Sequence, residues 1–332
     1  FEIFIEETFR FIERSLEAGQ PFFAYVCFGS PHEPYSGFPE DLALYDELPA
    51  KYPDETSRLT CNETGLQVTR ALGAVLRERY AEITAMDRSI GMLRDWLEER
   101  GLRENTIVLY TSDNGTSRDA VLFTPLRGHK SQLYEGGVRV PTVVEWPAKI
   151  REPAVSHAIA STSDMLPTLA AMVGAELPDR PLDGIDLAPL LSGEQSRRSK
   201  PLFFWEFNQR RIREMEADLK PWINPELQKG TTPLVKLANG IATRNFRNYH
   251  HPEIEEIDFI GSRVAMGPRY KLVVHEPTLG EPRIELFDLV TDPAESQNLA
   301  TEKPEIVESM SGELREWQES VLHSLSGADY DE

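Results

Sequence analysis

The segment LYTSDNGTSRDAVLFTPLRGHKSQLYEGGVRVP, residues 109–141, opens on apolar residues, breaks at Asp113-Asn114-Gly115, and then sets Lys130 between Gly128 and the Gly136-Gly137 pair. Its first residues complete the run NTIVLYTSD (105–113), whose length and apolar content predict a buried strand. That strand follows a helix after a short connection, the pattern of a parallel α/β sheet. Ligands of such sheets gather beyond the carboxyl ends of the strands, where Asp113 and Asn114 stand. A carboxylate beside an amide carbonyl offers two hard oxygen donors, which suit calcium or magnesium better than zinc. The same tripeptide is also what an ordinary tight turn uses. Glycines around Lys130 would let backbone approach a ligand closely, and its ammonium suits a tetrahedral anion; alone, it also reads as a solvated surface lysine.

Working outward, apolar residues at Leu76, Tyr80, Ile83, Met86, Ile90, Leu93 and Leu97 step by three and four, predicting a long amphipathic helix that ends at Gly101. A first helix is expected over Glu2 to Leu16. PFFAYVCFG (21–29) reads as another strand buried on both faces, with His32 in the loop just beyond it. A histidine there can donate to an anionic oxygen or protonate a leaving group near neutral pH; it can equally be a structural loop residue. VRVPTVVEWP (138–147) gives a third strand, and TSDMLPTLAAMVG (162–174) a helix opened by Ser163 or Asp164 and closed by Gly174. After the polar stretch SGEQSRRSK (192–200), short apolar runs PLFFWEF, SRVAM, YKLVVH and IELFDL alternate with turn residues and predict a small antiparallel sheet. A last helix follows from Pro304, with Ile306, Met310, Leu314, Trp317 and Val321 on one stripe. The chain thus divides into an α/β unit over 1–200 and a smaller α+β unit over 201–332.

The 332 residues carry 55 acidic against 35 basic side chains, a net charge of -20. That balance argues against nucleic acid or an anionic membrane surface as partner, so an anionic substrate needs a local positive site. The apolar runs are too short to span a bilayer. Cys27 lies in an apolar run and is expected to be a buried free thiol, while spacing alone does not decide whether it pairs with Cys61. The sequence starts at Phe1 without Met and enters a helix almost at once, which reads as something cut from a longer protein.

Taken in order, SPHEPY, then YAEITAMDRSIGMLRDWLEERGLRENTIVLYTSDNG, LRGHKSQLYEGGVRVP with WPAKI, STSDMLPTLAAMVG leading to LDGIDLAPLLSG, and YKLVV with ELFDLVTDPAESQNLA resemble the sulfatase family over nearly the whole chain. The likeness is to arylsulfatase and N-acetylgalactosamine-6-sulfatase relatives within the alkaline phosphatase superfamily. It implies an alkaline-phosphatase-like sheet sandwiched by helices, with the smaller C-terminal subdomain beside it. It also implies that Asp113 and Asn114 are calcium ligands, with magnesium as the alternative ion. Lys130 would bind sulfate and the nucleophile's hydroxyl, and His32 would contact the sulfate ester and assist its leaving group. The family's nucleophile is a formylglycine made within a C-x-P-S-R or C-x-A-x-R motif, preceded by an Asp-Asp pair that completes the metal site. Cys27 (CFGSP) and Cys61 (CNETG) lack that context, Ser199 (SKPLF) lacks the arginine, and there is no Asp-Asp pair.

By the resemblance, those elements lie upstream of Phe1 or on another chain, and this chain alone is expected to have no sulfatase turnover. The implied substrate is a sulfated carbohydrate or other sulfate ester, handled in the periplasm, outside the cell, or in a lysosome. Phosphodiester or phosphonate hydrolysis is the rival within the superfamily, but its zinc branch places Asp-His where Asp113-Asn114 stands. A non-catalytic carbohydrate-binding pseudoenzyme is the other alternative. The stretches NQRRIREMEADLKPW (208–222) and RNFRNYHH (244–251) concentrate basic and aromatic residues in an acidic chain. They offer Arg244, Arg247, His250 and His251 as candidates for recognising a sulfated sugar. Asn62-Glu63-Thr64 and Asn114-Gly115-Thr116 match the glycosylation pattern, a three-residue signal that carries little weight.

Overall fold

The computed structural model describes residues 1–60, 66–118, 120, 124–207, 251, 253–276 and 280–330. These fall into two compact units, one of residues 1–109 and 144–148, the other of residues 110–143, 149–207 and the described residues from 251 onward. The units interleave along the chain, where the change of composition near residue 200 predicts a single boundary.

The first unit is mostly helical: α1 (Glu2–Glu17), α2 (Pro39–Ala43), α3 (Leu48–Lys51), the antiparallel hairpin β1 (Thr56–Thr60) and β2 (Gln67–Ala71), and the long α4 (Leu72–Glu99). Helix α4 ends where the sequence predicts, at Arg100, followed by Gly101 with φ +66°. Its start packs Leu72 and Leu76 on Leu48, and its end meets α1, where Phe9 stacks on Trp96 with ring centroids 4.6 Å apart. The middle of its buried stripe is carried by Ala81, Ala85 and Ser89, while Ile83, on the predicted apolar stripe, is exposed.

Residues 21–29 depart from expectation. They form no strand, Phe23 and Tyr25 stand 71% and 78% exposed, and Cys27 is exposed, not a buried thiol. A strand exists by pairing its N–H and C=O groups with a neighbour, and among the described residues no strand is paired with this run. Apolar composition states what a segment can bury, not whether a partner is there to cover it.

Strands β3 (Val108–Thr111) and β4 (Thr142–Glu145) make a two-stranded sheet. Both predicted strands form, but shorter; β3, expected to be buried, has Leu109 38% exposed, and in β4 Val143 is 60% exposed. Between them lies the single-turn α5 (Glu135–Val138).

The second unit continues with α6 (Met165–Val173) and α7 (Ala188–Leu191). Asp164, one of the two expected openers, is the N-cap of α6; a 3-10 turn, Thr162–Asp164, precedes it and is capped by Ser161, whose side chain accepts from Ser163 N while the Asp164 carboxylate accepts from Ser161 N at 2.7 Å. Gly174, at φ +70°, closes α6 as expected. The four predicted apolar runs form β5 (Leu202–Trp205), β6 (Arg263–Met266), β7 (Tyr270–His275) and β8 (Arg283–Asp288), an antiparallel meander in sequence order. Strand alternation gives it two buried faces. Ala265, Leu272, Val274 and Leu286 pack under α8 (Pro304–Leu325) through Met310 and Leu314. Val264, Met266, Val273 and Phe287 point the other way and pack on Tyr134. Lys271 and Glu285 belong to that second face by the same alternation, which places charge beneath the segment carrying Tyr134 and Glu135.

Candidate functional site

The turn after β3 is fixed by hydrogen bonds to its backbone. Ser112 Oγ donates to the Asn114 carbonyl at 3.2 Å, and Asn114 Nδ2 donates to the Gly115 carbonyl at 3.0 Å. The next two amides reach across to the glycine pair: Gly115 N donates to Gly137 O at 3.0 Å and Thr116 N to Gly136 O at 2.8 Å. So close a passage of two backbones needs glycine, since a Cβ on Gly115 would lie 2.4 Å from Gly136 O, and one on Gly137 would lie 2.1 Å from Gln132 O. Lys130 then enters the same framework, its N–H donating to Thr116 O at 2.7 Å. The loop around it turns through positive φ at Gly128 (+82°) and Ser131 (+74°), with His129 Nδ1 2.8 Å from Lys130 O and Gln132 Oε1 accepting from His129 N at 3.1 Å. The structure thus joins the Asp113-Asn114 turn and Lys130 into one braced element of the second unit.

The exposed Asp113 carboxylate and the Asn114 side-chain oxygen are of the chemical type that holds a hard cation. They supply part of a site: such an ion takes roughly six to eight oxygens, and among the described residues no group of three or more His, Cys, Asp or Glu converges on a metal position.

Beneath this element lies a buried polar layer. Lys271 Nζ sits 3.0 Å from Glu135 Oε1 and 2.9 Å from Glu295 Oε1, and Glu295 Oε2 accepts the Glu135 N–H at 2.6 Å. Burial pushes the Glu295 carboxyl up from the usual carboxylate range, against the pull of the Lys271 charge. Beside it, Tyr134 donates to Glu285 Oε2 at 2.6 Å, and His275 Nε2 lies 2.7 Å from the same oxygen. Burial also works to raise the Glu285 carboxyl, but the Tyr134 and His275 hydrogen bonds and the Arg127 and Arg283 charges hold it below the usual range. The Arg127 guanidinium covers the Tyr134 ring at 3.9 Å. None of this layer was singled out by its chemistry in the sequence. The available signal was a lysine in YKLVVH whose strand neighbours are all apolar or aromatic, and glutamates within YEGG and DPAES.

His32 belongs to the first unit, in the 30–36 loop. Its Nδ1 lies 3.2 Å from both the carbonyl and the carboxylate of Glu33. The loop is tied to α4 by Ser36 N, which donates to the buried Glu82 at 2.7 Å; burial raises that carboxyl above its ordinary range. Arg244, Arg247 and His250 lie outside the described residues. His251 is interior, 4% exposed, with Nε2 3.3 Å from Asp258 and its ring 5.5 Å from that of Phe207. An imidazole so enclosed is a core contact and not a surface that meets a sugar.

A family model described as Sulfatase matches residues 2–175, just over half of the chain. The chain belongs to the sulfatase family. It is 32% identical to human arylsulfatase A over 234 residues, covering 68% of this chain and 40% of that protein. It is 29% identical to N-acetylgalactosamine-6-sulfatase of Canis lupus familiaris over 214 residues, covering 61% and 34%. The crystal structure of a Bacteroides fragilis sulfatase superposes with a TM-score of 0.65 at 20% identity, covering 99% of this chain and 60% of the other. The fold is therefore the alkaline-phosphatase-like α/β fold of sulfatases, and this sulfatase chain spans from about a third to three fifths of the proteins it matches.

Proposed function

We propose that the protein carrying this sulfatase chain hydrolyses sulfate esters, of a sulfated carbohydrate or an aryl alcohol, and that His32, Asp113, Asn114 and Lys130 are the residues this chain brings to the reaction. The observation that supports the reading most is the bracing of the Asp113-Asn114 turn to Lys130 through Thr116, with Lys130 N 2.7 Å from Thr116 O. Two hard oxygen donors that would hold a cation, with an ammonium on the same braced element, suit an anionic sulfate monoester.

In this reading Asp113 and Asn114 hold calcium, or magnesium in its place. That ion would draw charge from the sulfate oxygens and lower their repulsion toward an incoming oxygen nucleophile. Lys130 places its ammonium against a non-bridging oxygen, where the developing charge is neutralised without rearrangement because the backbone is already fixed. His32 keeps Nδ1 toward Glu33 and uses Nε2 to give a proton to the departing alkoxide. The nucleophile, a formylglycine by this reading, is supplied from outside the 332 residues, since neither CFGSP nor CNETG has the motif that is converted. By the same reading, this chain alone turns over no sulfate ester.

The test is an assay for inorganic sulfate released from a sulfated monosaccharide and from an aryl sulfate by the protein carrying this chain. Release from either supports the reading; release from neither, with the alcohol released from a phosphodiester or phosphonate monoester, would replace it with the other hydrolase.

A further inference from the structure

Lys271 is a fully buried ammonium, the second residue of β7 and followed there by Leu272, Val273 and Val274, and it carries two carboxylates with it, Glu135 at 3.0 Å and Glu295 at 2.9 Å. Removing three charges from water is expensive, and apolar residues of equal volume in such a place commonly give a fold that is as stable or more so. Stability is therefore a poor reason for this cluster, and registration of the parts it joins is a better one. Each member comes from a different segment: Lys271 from β7, Glu135 from the start of α5, and Glu295 from the turn after β8.

The parts it joins lead to the site. Glu295 holds Glu135 twice, through the backbone N–H at 2.6 Å and through the shared Lys271. Gly136 and Gly137 follow Glu135 directly, and their carbonyls receive Thr116 N and Gly115 N, at 2.8 and 3.0 Å, just past Asp113-Asn114. Thr116 in turn receives Lys130 N. A second observation agrees: Glu295 sits at φ +53°, a left-handed conformation that a glutamate adopts only where its surroundings impose it.

We infer that Glu135, Lys271 and Glu295 are positioning residues that fix α5 against the sheet, and through the carbonyls of Gly136 and Gly137 set the place of Asp113, Asn114 and Lys130. The inference rests on the sulfate-ester reading for what those three residues do, but not for whether they are positioned.

The experiment is residue-resolved amide hydrogen exchange on the protein carrying this chain, as wild type and as Lys271→Met. Should that variant fail to fold, Lys271→Met with Glu295→Gln takes its place; there Glu135 retains Arg139, 3.9 Å away, as its partner. Exchange at the Gly115, Thr116 and Lys130 amides is expected to rise about tenfold or more, while the β7 amides of Leu272 and Val274 keep their protection. Unchanged exchange at the three site amides in a folded variant overturns the inference. An equal rise throughout the unit overturns it too, since the cluster would then be a general prop of the fold. Exchange is read without substrate, so a wild type that releases no sulfate would remove the hydrolase reading and leave this result standing.

Discussion

The backbone amide of Lys130 donates to the carbonyl of Thr116 at 2.7 Å, so the lysine and the Asp113-Asn114 turn share one hydrogen-bonded frame although the chain between them is long. The frame closes only because Gly136 and Gly137 let a second backbone pass. Gly137→Ala, whose Cβ would meet Gln132 O at 2.1 Å, is expected to destabilise the second unit by about 2–4 kcal/mol. Gly91→Ala, in the interior of α4 with nothing within 4 Å, is expected to stabilise the protein by up to about 1 kcal/mol. Urea midpoints of the two variants check this; equal shifts would mean the glycine pair is not a close-approach point.

If Asp113 is a cation ligand, chelation should lower sulfate-ester turnover and added calcium should restore it. Asp113→Ala should then raise the calcium concentration needed for half-maximal turnover on the order of tenfold or more, because one full negative charge leaves the site. A calcium titration of wild type and variant reads this directly, and superimposable curves would remove Asp113 from the ligand set.

Glu145 answers to Arg94 first and to Arg103 as well, 2.6 and 2.7 Å away, and both hold its carboxyl below the ordinary range. A depressed folded-state value means the pair stabilises the fold above the unfolded carboxyl range, and that this contribution is lost as pH falls through the lower folded value. Glu145→Gln should therefore weaken the protein at pH 7 and become equal to wild type once the pH is below that folded value. Both guanidinium partners are partly exposed, so solvent screens the pair and the effect is expected to be modest. Denaturation midpoints across an acid series decide it; a deficit that persists at the acid end would show the loss to be one of shape, not charge.

His251, enclosed with Asp258 and Phe207, is expected to act on stability alone. His251→Leu should lower stability by about 1–3 kcal/mol, through the loss of its contact with the buried Asp258, which keeps the Glu255 N–H at 2.8 Å, while leaving KM for a sulfated sugar unchanged. Thermal unfolding together with steady-state kinetics separates the two effects, and a raised KM with an unchanged melting temperature would return His251 to the substrate.

Much of the architecture was legible because local pattern and tertiary outcome agree. Helix α4 reads from its apolar spacing and its terminal Gly101, and the β5–β8 meander from four short apolar runs separated by turns. The run 21–29 departs from its pattern for an equally physical reason: its composition resembles a central strand, but strand formation depends on a neighbour that local sequence does not supply. The candidate residues Asp113, Asn114 and Lys130 stood out by type and by glycine context. Their support did not, because Lys271, Glu135 and Glu295 are far apart in sequence and meet only through the pleat of β7 and the left-handed turn at Glu295. Charge in an apolar strand was the visible trace of that cluster, and it names one partner without naming the others.

The most direct measurement is kcat/KM for sulfate-ester hydrolysis by the protein carrying this chain, as wild type and as Lys130→Ala. The account predicts turnover in the wild type and a fall of about 10²–10³-fold in the variant, with the fold intact by circular dichroism. Equal turnover in the two proteins would contradict it, because the braced lysine would then have no part in the chemistry.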